Sequence, residues 1–148
     1  MTGPRAVEVR IPELGLRPGH PTMLTRLPRP GGGEPAWHVG LPGNPLAAMT
    51  ALRVVAQPLL EALLGRPVPP VPRGVLADEA RPGKADRLVP VRRVDPADPA
   101  SAWRECGHVG SAMLRGLADA EALAVLPASG VPAGGVVPLL PLAGGGGL

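Results

Sequence analysis

Hydrophobic and polar residues first alternate in steps of two, with Val7, Val9 and Ile11 separated by Glu8, Arg10 and Pro12. That is the pattern of a half-buried strand. The chain then turns through Leu16 to Pro21, and Met23 to Leu27 reads as a second strand. Proline and glycine between Pro28 and Pro35 mark an exposed loop or hairpin tip, after which Trp37 to Leu41 resumes a strand-like run. The period changes after Gly40-Leu41-Pro42-Gly43-Asn44-Pro45. Leu46, Met49, Leu52, Val55 or Ala56, Leu59, Leu60 and Leu63 recur every three or four residues, which predicts an amphipathic helix. Asn44 can cap its first turn, Pro45 suits the first helical position, and Gly65 is placed to stop it. Pro58 should kink this helix or split off its last turn.

Pro67 to Pro72 cannot propagate a helix and reads as a short extended linker. Beyond it, Val75 to Ala77, Leu88 to Val94, Ala122 to Leu126 and Val136 to Leu142 are strand candidates, with a helical turn over Ser111 to Leu117. The predicted organisation is an α/β unit over 1–65, a linker over 66–72 and a small β-rich domain over 73–142. A glycine-rich tail, 143–148, should be mobile.

Composition narrows how such elements can be stabilised. The 21 glycines and 22 prolines bring the chain to the edge of a disordered composition, and the periodic apolar runs argue against that outcome. Lys84 is the one lysine, Ile11 the one isoleucine, and phenylalanine and tyrosine are absent, a bias that suggests a GC-rich genome. The core must therefore be built from Leu, Val, Ala and Met, and loss of Trp37 or Trp103 should be costly wherever they are buried.

The net charge of +3 invites a nucleic-acid reading, but the arginines are spread from Arg5 to Arg115 without a dense basic stripe or stacking aromatics. Small anions suit such scattered cations better. A single cysteine, Cys106, allows no internal disulfide, and no signal segment opens the chain, so a cytoplasmic location is expected. The most apolar stretch, Leu46 to Leu64, contains Arg53, Gln57, Pro58 and Glu61, too interrupted for a bilayer span. No membrane partner is expected.

The Pro42-Gly43-Asn44-Pro45 corner is the sharpest candidate for chemistry. Two prolines fix the backbone, Gly43 permits close approach of a ligand, and a helix start presents unpaired N–H groups to anions. A rigid strand-to-helix connection with no ligand would use the same residues. Cys106 and His108 are two apart and could share one side of a strand, but no third partner has recognisable spacing. His20, His38 and His108 form no metal motif, and Asp78, Glu79, Asp95 and Asp98 look like solvated loop charges. No catalytic residue can be nominated and no metal ligands are expected.

Three segments together resemble the MoeA and gephyrin E-domain family of molybdopterin molybdenumtransferases, from about Val7 onward. Leu16-Arg17-Pro18-Gly19-His20-Pro21 is similar to the family's Lys-Pro-Gly-Lys-Pro element, and Gly40 to Met49 to its Leu-Pro-Gly-Asn-Pro corner. Gly107 to Pro127 is similar to the Gly-Ser-rich segment and following strand of its last domain. The resemblance implies that Pro42, Gly43, Asn44 and Pro45 contact molybdopterin. It also implies an anion site for molybdate at Arg17 and His20, which replace the family's two lysines, joined by Ser111 and by Lys84 or Arg87. Arg17 keeps a permanent charge that can grip an oxyanion through two parallel bonds, whereas His20 would be partly charged near neutrality. Ser111 could instead cap the turn that follows it. Ala47 stands where the family has a serine.

The same resemblance implies the end of a three-layer α/β/α molybdopterin-binding domain followed by a small β-barrel-like domain. For the complete enzyme it implies transfer of molybdate into adenylylated molybdopterin with release of AMP, assisted by Mg²⁺. The family's upstream Gly-x-Ser-x-Gly-x-x-Asp segment and metal-holding acids are not visible in this sequence. The chain is therefore expected to be an incomplete portion of the enzyme, its Mg²⁺ ligands lying elsewhere. It would work as a homodimer in the complete enzyme or with a missing upstream half. The alternative is a non-catalytic module that binds molybdopterin or a partner protein.

Overall fold

A computed structural model describes residues 7–107 and 113–142, with side-chain surroundings left aside for 113–115. The chain is mostly β and divides into two compact units, one of residues 1–15 and 19–68, the other of 16–18 and 69–148.

In the first unit, strands β1 (Glu8–Ile11), β2 (Met23–Leu27) and β3 (Ala36–Gly40) form an antiparallel sheet in the order β1-β2-β3. The alternation at the start of the chain predicts a half-buried β1, yet Val7 and Val9 are exposed. A register shift also breaks the alternation. Val9 pairs with Thr25 while Ile11 pairs with Leu24, so the extra residue between them sends Val9 and Ile11 to opposite faces. Between β2 and β3, Gly31, Gly32 and Gly33 all have positive φ, a run of left-handed backbone that no other residue adopts freely. Arg26 and Trp37 are cross-strand partners, and the guanidinium lies 5.8 Å from the indole centroid.

After β3 come α1 (Pro45–Ala51), a π-helical segment (Leu52–Ala56) and α2 (Gln57–Leu63). Pro58 does not break the run. The N–H of Gln57 bonds the carbonyl of Leu52, five residues back, and this wider turn accommodates the proline that follows at the start of α2. The helical run Pro45–Leu63 is long and apolar enough, by length and composition, to cross a membrane. Its interruptions are thus weaker barriers to a continuous apolar helix than the sequence implies. Leu46, Ala47, Thr50, Ala51 and Val55 are buried, whereas α2 buries no residue.

The second unit is a five-stranded sheet, order β4-β8-β7-β5-β6, of β4 (Arg73–Val75), β5 (Arg87–Arg93), β6 (Trp103–Glu105), β7 (Ala122–Leu126) and β8 (Val136–Pro141). Every neighbouring pair is antiparallel. An odd number of strands alternating in direction leaves the two edges parallel, and they do meet in that sense. Leu76 forms a parallel bridge to Trp103, with Ala77 N–H donating to the Trp103 carbonyl at 2.8 Å, so the sheet curls until its ends touch. A short helix, α3 (Met113–Ala118), precedes β7.

Inside the curl lie Leu76, Ala80, Val91, Trp103, Ala122, Ala124, Leu126, Val137 and Leu139. Small alanines on β7 face one bulky indole, which is how a barrel this narrow is filled without phenylalanine or tyrosine. β6, which the periodicity leaves out, contributes Trp103 itself. Gly74 makes room for it, since a Cβ there would stand 2.6 Å from the indole Cδ1 and Nε1 and 2.5 Å from Leu139 Cδ1. The Arg93 guanidinium stacks 4.8 Å from the Trp103 centroid and bonds Glu121, whose other oxygen accepts the Arg93 backbone N–H at 3.0 Å.

Two stability outcomes follow from these contacts. Gly74→Ala should destabilise the chain by about 1–3 kcal/mol through overpacking against Trp103 and Leu139, measured by urea denaturation with an unchanged m-value. Asn44 accepts the Ala47 N–H at 3.0 Å from an extended backbone, so Asn44→Ala should cost about 1 kcal/mol, with Asn44→Ser recovering most of it.

Candidate functional site

The candidate residues are divided between the two units, and each group is held by backbone geometry. In the first unit, Pro42 is buried while Gly43, Asn44 and Pro45 are exposed. A Cβ at Gly43 would meet nothing within 4 Å, so this stretch of backbone is open to approach. Its donor capacity is small. Pro45 has no N–H, Ala47 donates to the Asn44 side chain, and Ala48 donates to the Asn44 carbonyl at 2.9 Å. The Leu46 N–H is the first-turn donor outside the cap. Because Asn44 Oδ1 is occupied by capping, its amide nitrogen is the side-chain group left to face a ligand.

His20, also in the first unit, has its Nε2 3.2 Å from Glu13 Oε2, both side chains being at least half exposed. This carboxylate competes with any anion for the imidazole. Thr25 Oγ1 lies 3.1 Å from His38 Nδ1, which accounts for that histidine without a ligand.

In the second unit, Arg17 and Arg87 become neighbours. The Arg17 N–H donates to the Asp86 carbonyl at 3.0 Å and the Leu88 N–H donates to the Arg17 carbonyl at 2.8 Å, a parallel bridge between Arg17 and Arg87. Bridged residues send their side chains to the same face of the pair. The position is open because β6 pairs only with Val91 to Arg93, leaving the earlier edge of β5 for Arg17. Pro90 sits between these partners, where a missing N–H interrupts neither one.

The loop from Arg81 to Asp86 is pinned on both sides of this bridge. Ala80 and Val131 exchange two backbone bonds of 2.8 Å, Gly83 N–H donates to the Ala128 carbonyl at 2.9 Å, and Asp86 Oδ1 accepts the Ala128 N–H at 2.8 Å. Gly130, at φ +81°, permits the approach, since a Cβ would lie 2.7 Å from the Ala80 carbonyl oxygen. Arg87 folds beneath the loop and donates through Nη2 to the Arg81 carbonyl at 2.7 Å, while its buried Nε has no partner. Lys84 stands exposed at the tip.

The result is a cationic surface of Arg17, Arg81, Lys84 and Arg87. Among the described residues none of the four has a carboxylate within 4.0 Å. Clustered cations of this kind attract an anion. Arg81 was not singled out by sequence reasoning; its three-residue spacing from Lys84 in a Pro-Gly turn was the available signal. Ser111 and His108 lie outside the described residues. Alongside, Arg81, Arg87, Arg104, Asp78, Glu79 and Trp103 help line an open cleft of about 460 Å³. Arg104 is paired there with Asp78 at 2.7 Å, which raises its pKa chiefly through that hydrogen bond.

Cys106 does not behave as an activated nucleophile. It follows β6 with its N–H bonded to the Pro90 carbonyl, and burial pushes its thiol pKa up; Asp119 and Glu121 add to this while Arg92 opposes it. Among the described residues no group of three or more His, Cys, Asp or Glu side chains could hold a metal ion.

Comparison with solved structures places this arrangement in a known architecture. The crystal structure of the molybdopterin biosynthesis MoeA protein from Pyrococcus horikoshii superposes with a TM-score of 0.69 at 22% identity, covering 92% of this chain and 32% of that one. The crystal structure of a molybdopterin biosynthesis MoeA protein from Pyrococcus horikoshii OT3 gives 0.65 at 15% identity, covering 90% of this chain and 32% of that one. This chain has the fold of a part of MoeA. It spans about a third of the length of the MoeA chains it matches. No family model and no curated protein matches the sequence.

The thiol chemistry is testable directly. A raised thiol pKa means a small thiolate fraction, so iodoacetamide should alkylate Cys106 at pH 8 more slowly than a free cysteine. Its contribution to stability is complete below the unfolded thiol's value and is lost as pH rises through the higher folded value. Alkaline pH should thus lower the unfolding midpoint of the wild type more than that of Cys106→Ser.

Proposed function

We propose that this chain is the molybdate- and substrate-binding portion of a MoeA-like molybdenum insertase in cofactor biosynthesis. The bridge between Arg17 and Arg87 carries this reading, because it gathers permanent charges without carboxylate partners on a fold shared with MoeA. Two guanidiniums offer paired N–H donors to a tetrahedral oxyanion, and Lys84 adds a mobile third cation. The Pro42 to Pro45 corner, stiffened by its prolines and its Asn44 cap, would contact molybdopterin through Asn44 and the open backbone at Gly43. Ser111 and His20 are further anion contacts in this proposal.

The proposed reaction is insertion of molybdate into adenylylated molybdopterin with release of AMP. In the complete enzyme Mg²⁺ would assist it. The residues described here do not fit that ion, since no cluster of carboxylates is present among them. No step is assigned to Mg²⁺ in this chain, whose own groups bind and orient anions. The larger assembly would supply the metal ligands and the other layers of the three-layer domain, as a cytoplasmic homodimer or through an upstream half. The same lack of carboxylates favours, as a second reading, binding without turnover by this chain alone.

Calorimetric titration of the chain with molybdate tests the anion site. Arg17→Ala and Arg87→Ala should each weaken binding about tenfold or more, as expected for charge-assisted bonds worth about 1.5–3 kcal/mol, and Arg17→Lys should lose less. Unchanged affinity in both alanine variants would refute the site. Cofactor synthesis from adenylylated molybdopterin, molybdate and Mg²⁺ should require the upstream portion, and turnover by the chain alone would refute the division of labour.

A further inference from the structure

We infer that the mouth of the curled sheet in the second unit binds a small zwitterion of the apolar α-amino-acid class. This does not rest on the proposed function, although Arg87 is common to both. The observation is a pair of opposite charges on positions that the core would otherwise use. On β5, Val91 belongs to the core and Val89 packs against it, and Arg87 falls on the same alternation. On β6, Trp103 belongs to the core, and Glu105, two residues on, is the direct partner of Val91. Directly paired residues share a face, so Arg87 and Glu105 both lie on the core side of the sheet, at the end where the core runs out. That end opens as the cleft of about 460 Å³, within the size range of small-molecule sites, about 300–1,000 Å³. Leu76, Ala80 and Trp103 supply its apolar lining.

Charge decides the class of ligand. Of the charged residues lining the cleft, Arg104 and Asp78 neutralise one another at 2.7 Å. Arg81, Arg87, Glu79 and Glu105 remain, and among the described residues none of the four makes an ion pair within 4.0 Å. A plain anion in this cleft would meet two carboxylates, and a plain cation would meet two guanidiniums. A molecule carrying both charges satisfies both pairs. Its carboxylate accepts hydrogen bonds from Arg81 and Arg87, and its ammonium donates to Glu79 and Glu105. Arg87 is already oriented for this, because Nη2 donates to the Arg81 carbonyl at 2.7 Å while Nε is buried without a partner. An aliphatic side chain on the ligand would lie against Leu76 and Ala80, both buried, and lose its own water there.

The test titrates the full chain, without molybdate, with four probes followed by calorimetry and by the NMR shift of the Trp103 indole N–H. The probes are L-leucine, L-leucyl-L-leucine, 4-methylpentanoate, which is leucine without its ammonium, and 3-methylbutylamine, which is leucine without its carboxylate. Leucine or its dipeptide should bind and move the Trp103 signal, and the tighter of the two tells a free amino acid from a peptide as the source. Each singly charged probe should bind about tenfold or more weakly than the better zwitterion, as expected for the loss of charge-assisted bonds. Glu105→Gln and Arg81→Gln should each weaken that zwitterion by a similar factor while keeping the chain's thermal transition, and Glu105→Gln should leave molybdate affinity unchanged. No binding of either zwitterion at millimolar concentration would overturn the inference. Equal binding of 4-methylpentanoate and leucine would do the same, since the cleft would then be a plain anion pocket, and so would indifference to both variants. Molybdate binding that persists while leucine fails to bind would overturn this site and leave the Arg17–Arg87 site standing.

Discussion

The meeting of β4 and β6 over Gly74 is the constraint on which the second unit depends. With no phenylalanine or tyrosine in the sequence, one indole has to fill the space where the sheet closes on itself. Trp103 can occupy that space because residue 74 lacks a side chain, and Arg93 and Glu121 fix the indole from the opposite face. Closure then positions everything along β5. The strand has β7 on one edge, β6 on the far half of the other, and an unfilled near half that receives Arg17.

That sequence of constraints connects core packing to the proposed anion site. Arg17 is distant in sequence from Arg87, and they become neighbours because a two-sided strand has half an edge to spare. The loop carrying Arg81 and Lys84 is fastened by backbone bonds to Ala128 and Val131 rather than by side-chain ion pairs. Its cations are consequently left uncommitted while their backbone is held. Such an arrangement favours an anion by pre-organisation, since little ordering of the chain is needed when the ligand arrives.

The first unit follows a different logic. Its corner engages the Asn44 side-chain oxygen to begin a helix, so what it offers a proposed ligand is shape and open backbone more than charge. The helical run it begins buries Leu46, Ala47, Thr50, Ala51 and Val55 and leaves every residue of α2 at least partly exposed.

What the sequence determined by itself was local. Asn44-Pro45 signalled a helix start because capping needs only residues within one turn, and β2, β7 and β8 were legible because alternation or apolar runs of the right length survive without tertiary help. The Lys-Pro-Gly-Lys-Pro-like and Pro-Gly-Asn-Pro segments likewise pointed to a fold that the MoeA structures share. Tertiary structure decided the rest. A bulge broke the alternation after Val9, a π-helical turn carried the helix past Pro58, and pairing with β5 made a strand of Trp103 to Glu105. Only the open half-edge of β5 could select Arg87 as Arg17's neighbour, because hydrogen-bond pairing between distant segments leaves no periodicity in either one.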